Sequence, residues 1–131
     1  MSGGNWFLTR KKAFDLRTIS LTSGADTATV GPTDAYTVKV GTPTNDFVVD
    51  RVINVTLTAG NDLAITLPNG IFEGQRILIN LVLDGGTSTA TVTPATANTT
   101  ATYALTTLGD YCSLEWMNAT EGWAYLSEVT T

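Results

Sequence analysis

The sequence predicts an all-β domain, an antiparallel β-sandwich or jelly-roll-like body with an extended N-terminal segment. Three observations lead there. From Val52 to Glu128 short apolar-alternating runs and turn residues follow one another almost without a break, the pattern of a meander. Threonine, β-branched and suited to the wet face of a sheet, is used heavily throughout. No window of helical length shows helical period with caps, and no internal repeat of useful length is apparent.

Residues 1–17 differ from the rest. Ser2-Gly3-Gly4 leads into Trp6, Phe7 and Phe14, with Arg10-Lys11-Lys12 between them. Two readings stand side by side: an edge strand of the domain, or an arm whose aromatic and basic residues dock on a neighbour. Residues 18–131 form a single antiparallel β domain in this reading. TISLT, TATVG and AYTVKV are strand-like runs separated by Ser23–Asp26 and Gly31–Asp34. Tyr36, Val38 and Val40 alternate with Thr37 and Lys39, as in a strand with one wet face. The loop at 41–46, with Gly41 and Pro43, is the candidate internal boundary.

Phe47 to Thr58 is long for a strand and opens on FVV, which predicts a bulge near Asp50-Arg51. Beyond it Ile53, Val55 and Leu57 point one way, and Leu63, Ile65 and Leu67 repeat the arrangement after the turn at Ala59–Asp62. Pro68-Asn69-Gly70 reads as the next turn. Between Gln75 and Leu83 both parities are apolar, with Ile77, Ile79, Leu81 and Leu83 on one face and Leu78 and Val82 on the other. That strand is expected to be central and covered on both sides, by a second sheet or by a neighbouring subunit. After the turn at Asp84-Gly85-Gly86, Ser88 to Thr93 carries only Ala90 and Val92 on its apolar face, which suits an edge that something covers. Cys112, Leu114 and Trp116 share a buried face in the last hairpin, opposite Tyr111, Ser113, Glu115 and Met117.

Chemistry is sparsely supplied. The chain has 131 residues, 43% of them hydrophobic, enough for one core, and a formal net charge of −5. The six basic groups of residues 1–65 balance six acidic ones, whereas residues 66–131 hold Arg76 against six acids. An acidic body lacks the clustered Arg and Lys of a nucleic-acid binder. There is no histidine and a single cysteine, Cys112, which removes the commonest general base, the usual zinc ligand sets and any internal disulfide. Carboxylate pairs for glycoside hydrolysis remain, for example Glu115 with Glu121 or Glu128, but these lie around a short hairpin and are expected to face solvent. Asp84 and Asn61-Asp62 read as turn chemistry rather than calcium ligands. We therefore expect no enzyme, no cofactor and no metal. No stretch approaches the length of an apolar membrane span, and the N-terminus lacks the apolar core of a signal peptide, so synthesis in the cytoplasm is expected.

One resemblance bears on function. Leu67-Pro68-x-Gly70, Glu73-Gly74-Gln75, an apolar strand ending at Asp84-Gly85-Gly86, and a final hairpin with Gly109, Asp110, Leu114, Trp116, Gly122 and Trp123 resemble bacteriophage virion β-modules. These occur in capsid decoration (cement) proteins, head fibres and tail appendages. The resemblance covers about half the chain and implies a small β-sandwich or jelly-roll module, a homotrimer, on the outer surface of a virion. It implies the major capsid protein as partner and a shell-stabilising, non-catalytic role. On that basis Trp6, Phe7, Arg10, Lys11, Lys12 and Phe14 are assigned to capsid contact, and Ile71, Phe72, Leu78 and Val82 to subunit packing, with intramolecular core the other reading for these four. The alternative function is a receptor- or carbohydrate-binding head, for which Trp123 and Tyr125 would form the stacking platform.

Overall fold

The computed structural model describes residues 15–24, 33–41, 48–98 and 101–129, and every structural statement below concerns these. The capsid-contact assignments from Trp6 to Phe14, the TATVG run and the 42–46 loop lie outside them. Nine strands and no helix are present: β1 (Asp15–Thr22), β2 (Thr33–Thr37), β3 (Val48–Thr56), β4 (Asp62–Leu67), β5 (Arg76–Leu83), β6 (Ala90–Pro94), β7 (Tyr103–Leu105), β8 (Tyr111–Asn118) and β9 (Gly122–Val129). The class is all-β, as the alternation requires.

The connectivity departs from a meander. Strands form a five-stranded sheet ordered β1-β3-β5-β8-β9 and a four-stranded sheet ordered β2-β4-β6-β7. From β1 to β6 the chain alternates between the two sheets, so strands next to each other in sequence do not pair. Instead β3 pairs in parallel with β1 and β5, and β4 with β2 and β6. Only the closing pairs β5–β8, β6–β7 and β8–β9 are antiparallel. Both sheets are thus mixed rather than antiparallel, and the chain winds in successive coils, each placing one strand in each sheet.

The turns show why. At the corner between β3 and β4, Asn61 N donates to Thr58 O, a tight reversal, yet Leu57 N donates to Leu83 O and Leu63 N to Thr89 O. The backbone groups flanking the turn are satisfied by the next coil, so the turn carries the chain from one sheet to the other. Three corners stack through hydroxyls. Thr58 N donates to Ser23 Oγ at 2.8 Å, Thr58 Oγ1 to the Ser23 carbonyl at 2.8 Å, and Ser88 Oγ to the Thr58 carbonyl at 2.7 Å. Gly85 lies so close to the Thr58 carbonyl that a Cβ there would sit 2.7 Å from it. Larger residues at this point would separate the coils.

Coiling brings like side chains into register. Ile19, Ile53, Ile79 and Cys112 are cross-strand neighbours in the larger sheet, as are Leu21, Val55 and Leu81. Tyr36, Ile65, Val92 and Tyr103 line up in the smaller one. Side chains from both sheets join one buried cluster that includes Leu57, Leu67, Leu105, Leu114, Trp116 and Trp123. Trp116 and Trp123 meet edge to face with centroids 5.5 Å apart, and Trp123 Nε1 donates to the Pro68 carbonyl at 2.9 Å.

β5 is the central strand of its sheet, as its two apolar parities predict, and its inward residues Ile77, Ile79 and Leu81 are buried. The predicted bulge is present: Arg17 pairs with Asp50 and Thr18 with Val52, leaving Arg51 extra. A second bulge, where Val55 pairs with Leu81 and Thr56 with Leu83, leaves Val82 extra and turns Leu83 out to 54% exposure. The weakly apolar β6 is not an edge, since β7 of the same chain covers it.

Candidate functional site

The outward face of the larger sheet follows directly from the register. Val52, Leu78, Ser113 and Ser127 form one cross-strand row, and Ser20, Asn54, Asn80, Tyr111 and Val129 the next. Asn80 Nδ2 donates to Asn54 Oδ1 in this second row, joining adjacent coils. Leu78 is half-buried between Val52 and Ser113, while Val82 and Val129 are exposed. Ile71 is half-buried and Phe72 is 43% exposed, both in the turn that precedes β5. The four residues expected to pack subunits together are therefore strung along one strand. Ile71 and Phe72 stand before its first residue and Val82 near its last, separated by about 20 Å at a strand's rise.

Where β1, β3 and β5 begin, the surface forms a groove of about 200 Å³ lined by Leu16, Val49, Arg51, Phe72, Gln75 and Arg76. Its walls are held in place. Gln75 is buried and bridges two coils, accepting from Ile71 N at 2.8 Å and donating to the Val40 carbonyl at 3.0 Å. Arg76 Nε donates to Glu115 Oε1 at 2.7 Å. Arg51, the bulge residue, is exposed.

Behind the groove lies a buried ionic network. Asp50, 2% exposed, accepts from Arg17 Nε at 2.5 Å, Tyr36 Oη at 2.7 Å and Lys39 N at 2.8 Å. Desolvation, then the bond to Asp50, pushes the Tyr36 phenol up to about 12, and the bond to Asp50 raises the Arg17 guanidinium. A carboxylate so occupied joins β1, the end of β2 and β3. Asp110 likewise accepts from Thr106 N and Thr107 N, and Asp84 from Gly86 N and Leu108 N. These carboxylates cap turns, which is how the sequence reads Asp84-Gly85-Gly86.

The carboxylates considered for hydrolysis do not converge. Glu115 is tied to Arg76, Glu121 accepts from Asn98 Nδ2 at 2.9 Å, and Glu128 sits opposite Cys112 in the register. Cys112 is fully buried, and burial followed by the Glu128 charge pushes its thiol up to about 12, so it packs as a small apolar residue. Among the described residues no group of three or more His, Cys, Asp or Glu side chains is placed to hold a metal ion. Of the aromatic platform only Tyr125 is exposed, at 48%, because Trp123 is enclosed at 1%.

Sequence reasoning missed Leu16, Arg51 and Arg76 as neighbours. They come from three different coils, and only the parallel register brings them together. No protein-family model matches the chain, and comparison with curated proteins yields no significant match.

Proposed function

We propose that the chain is a non-catalytic virion protein, a β-sandwich module that decorates the outside of a phage shell and braces it as a homotrimer. The observation that carries the reading is a body laced coil to coil, bearing half-exposed apolar side chains along one outward strand and its ends. Ser23, Thr58, Ser88, Gln75, Asp50 and Asp110 all direct their polar atoms to the fold itself. A rigid body with apolar contact residues suits bracing, and needs no reacting group. In this reading Trp6, Phe7, Arg10, Lys11, Lys12 and Phe14 touch the major capsid protein, and Ile71, Phe72, Leu78 and Val82 pack subunits against one another. Burial of Trp123 leaves Tyr125 without a partner ring, which disfavours a sugar-binding head.

Co-sedimentation of the purified chain with assembled shells of the cognate phage tests the proposal. Binding should saturate at a fixed ratio to coat subunits, raise the temperature at which shells open, and vanish when residues 1–14 are removed while the tryptophan fluorescence of the folded body is retained. Shells that bind nothing, together with a chain that retains glycans on an array, would replace this reading with the receptor-binding one.

A further inference from the structure

Asn69-Gly70 is the only asparagine-glycine pair in the sequence, and the fold leaves it chemically unrestrained. Every other described asparagine has its side chain held. Asn54 and Asn80 bond to each other, Asn61 Nδ2 donates to Thr58 Oγ1 at 3.2 Å, Asn98 Nδ2 donates to Glu121 Oε2 at 2.9 Å, and Asn118 Oδ1 accepts from Thr120 N and Glu121 N. The Asn69 side chain bonds to no group among the described residues, and it is exposed. Gly70 N, the backbone amide that follows it, likewise donates to no described group. The turn does not need asparagine here, since Asn69 sits at a negative φ that any residue adopts. It does need the glycine. A Cβ on Gly70 would lie 2.3 Å from Trp116 Cγ, so core packing fixes the one neighbour that leaves Asn69 least hindered.

We propose that Asn69 is a self-modifying site, where the Gly70 backbone nitrogen displaces the side-chain amide and water completes conversion to aspartate and isoaspartate. The nitrogen attacks Asn69 Cγ, and the new C–N bond closes a five-membered imide. The Cγ–Nδ2 bond breaks, and ammonia leaves with the proton from Gly70 N. Water then opens the ring. Attack at the Cγ carbonyl gives aspartate with the backbone unchanged, whereas attack at the main-chain carbonyl gives isoaspartate, whose backbone runs through the side-chain carbon. Water is the only co-reactant. Exposure supplies access to a thermolabile residue, and Gly70 sets neither a side chain nor a hydrogen bond against the approach. Either product adds one negative charge to the turn. Isoaspartate does more, because it lengthens the backbone between two anchored points: the Pro68 carbonyl, which accepts from Trp123 Nε1 at 2.9 Å, and Gly70 against Trp116. One of these contacts must lift, and both belong to the edge-to-face tryptophan pair of the core. The virion reading plays no part in this chemistry.

Warm, mildly alkaline incubation of the folded full-length chain, followed by peptide mass mapping and enzymatic methyl labelling of isoaspartate, tests it. Asn69 should convert about tenfold or more faster than Asn54, Asn61, Asn80, Asn98 or Asn118, since a side-chain hydrogen bond of ordinary strength changes a rate by about that factor. Isoaspartate should appear beside aspartate, because direct hydrolysis of the amide gives aspartate alone. The converted chain should elute as a more acidic species, unfold at lower urea and show altered tryptophan emission. Asn69→Gln, whose emission before incubation checks its fold, should yield no such species and keep its unfolding midpoint throughout. An Asn69 that stays intact in the folded chain, faster conversion at another described asparagine, or aspartate without isoaspartate overturns the site. Converted chain with unchanged emission and midpoint overturns the coupling of that site to the tryptophan pair.

Discussion

Replacing Asp50 by asparagine keeps the side-chain shape and removes the charge, which isolates what the buried network contributes. One Asp50 oxygen accepts from Arg17 Nε, and the other accepts from both Tyr36 Oη and Lys39 N. An asparagine amide nitrogen must replace one of these oxygens and then confronts a donor. Facing it toward Lys39 N strands a backbone N–H, so the amide should face Arg17, whose side chain is 37% exposed and can swing into water. The loss is then one charge-assisted hydrogen bond plus weakened bonds at the other oxygen, about 2 kcal/mol, since bonds to charged groups contribute about 1.5–3 kcal/mol. Asp50→Ala strands Tyr36 Oη and Lys39 N as well and should cost about 3–5 kcal/mol, the usual range for leaving a buried partner unmatched. Arg17→Met should cost about 1 kcal/mol, because Asp50 keeps two donors and the lost guanidinium was partly hydrated. Urea unfolding followed by tryptophan fluorescence measures all three, and each 1 kcal/mol corresponds to about 3–5 °C in Tm for a chain of this length. If Asp50→Asn unfolds within about 0.5 kcal/mol of wild type, or Arg17→Met costs as much as Asp50→Ala, the network does not carry the junction of the first coils as argued.

Gly122→Ala should destabilise by more than 3 kcal/mol, on the order of the largest single-site effects. Its φ is +78° and a Cβ would lie 2.3 Å from the Thr96 carbonyl oxygen, whereas Gly74→Ala, with φ +91° and open space, should cost only about 1–2 kcal/mol in the same urea assay. Stability should fall at alkaline pH. Tyr36 and Cys112 both have folded values near 12, above the ordinary 10.0 and 9.0, so their contribution is complete below those ordinary values and is lost as pH rises through 9 to 12. Urea midpoints for wild type, Tyr36→Phe and Cys112→Ala across pH 8 to about 12 should show a shallower alkaline fall in each variant. Thiol titration should find Cys112 unreactive in the folded chain and reactive in urea, and rapid native labelling would contradict its burial.

The faces of the strands were legible because side-chain alternation is local. Ile53-x-Val55-x-Leu57, Leu63-x-Ile65-x-Leu67 and Cys112-x-Leu114-x-Trp116 are buried at every position read as inward. The Asp50-Arg51 bulge was legible too, since an apolar FVV followed by a phase change leaves few other solutions. Strand pairing was not. A hairpin and a coil corner place the same parity on the same side, and Ala59-Gly60-Asn61 can begin either one. What decides is where Leu57 N and Leu63 N find acceptors, and those acceptors, the carbonyls of Leu83 and Thr89, lie more than twenty residues away. The repeat itself is hidden because coil neighbours share only apolar character: Ile53 lies on Ile79, but Leu63 lies on Ala90 and Leu67 on Pro94.

The same reasoning separates what the sequence can say about sites from what it cannot. Leu78 and Val82 were singled out because they break a one-sided pattern, and that local signal has two different sources here. Leu78 is apolar on the outward face because Val52 of the adjacent coil flanks it, a packing reason that holds within one chain. Val82 is a bulge residue, displaced from any such row and 43% exposed, so nothing within the described fold accounts for its apolar character. Phe72, before the other end of the strand, is 43% exposed and lines the groove. Intramolecular packing thus accounts for Leu78 and not for Val82 of the two β5 residues. Leu78→Ser should therefore lower stability without changing solution mass, while Val82→Ser, in the proposed homotrimer, should lower mass with little change in stability. Light scattering and urea unfolding on the same two proteins read both, and the opposite assignment would return the subunit contact to the middle of the sheet.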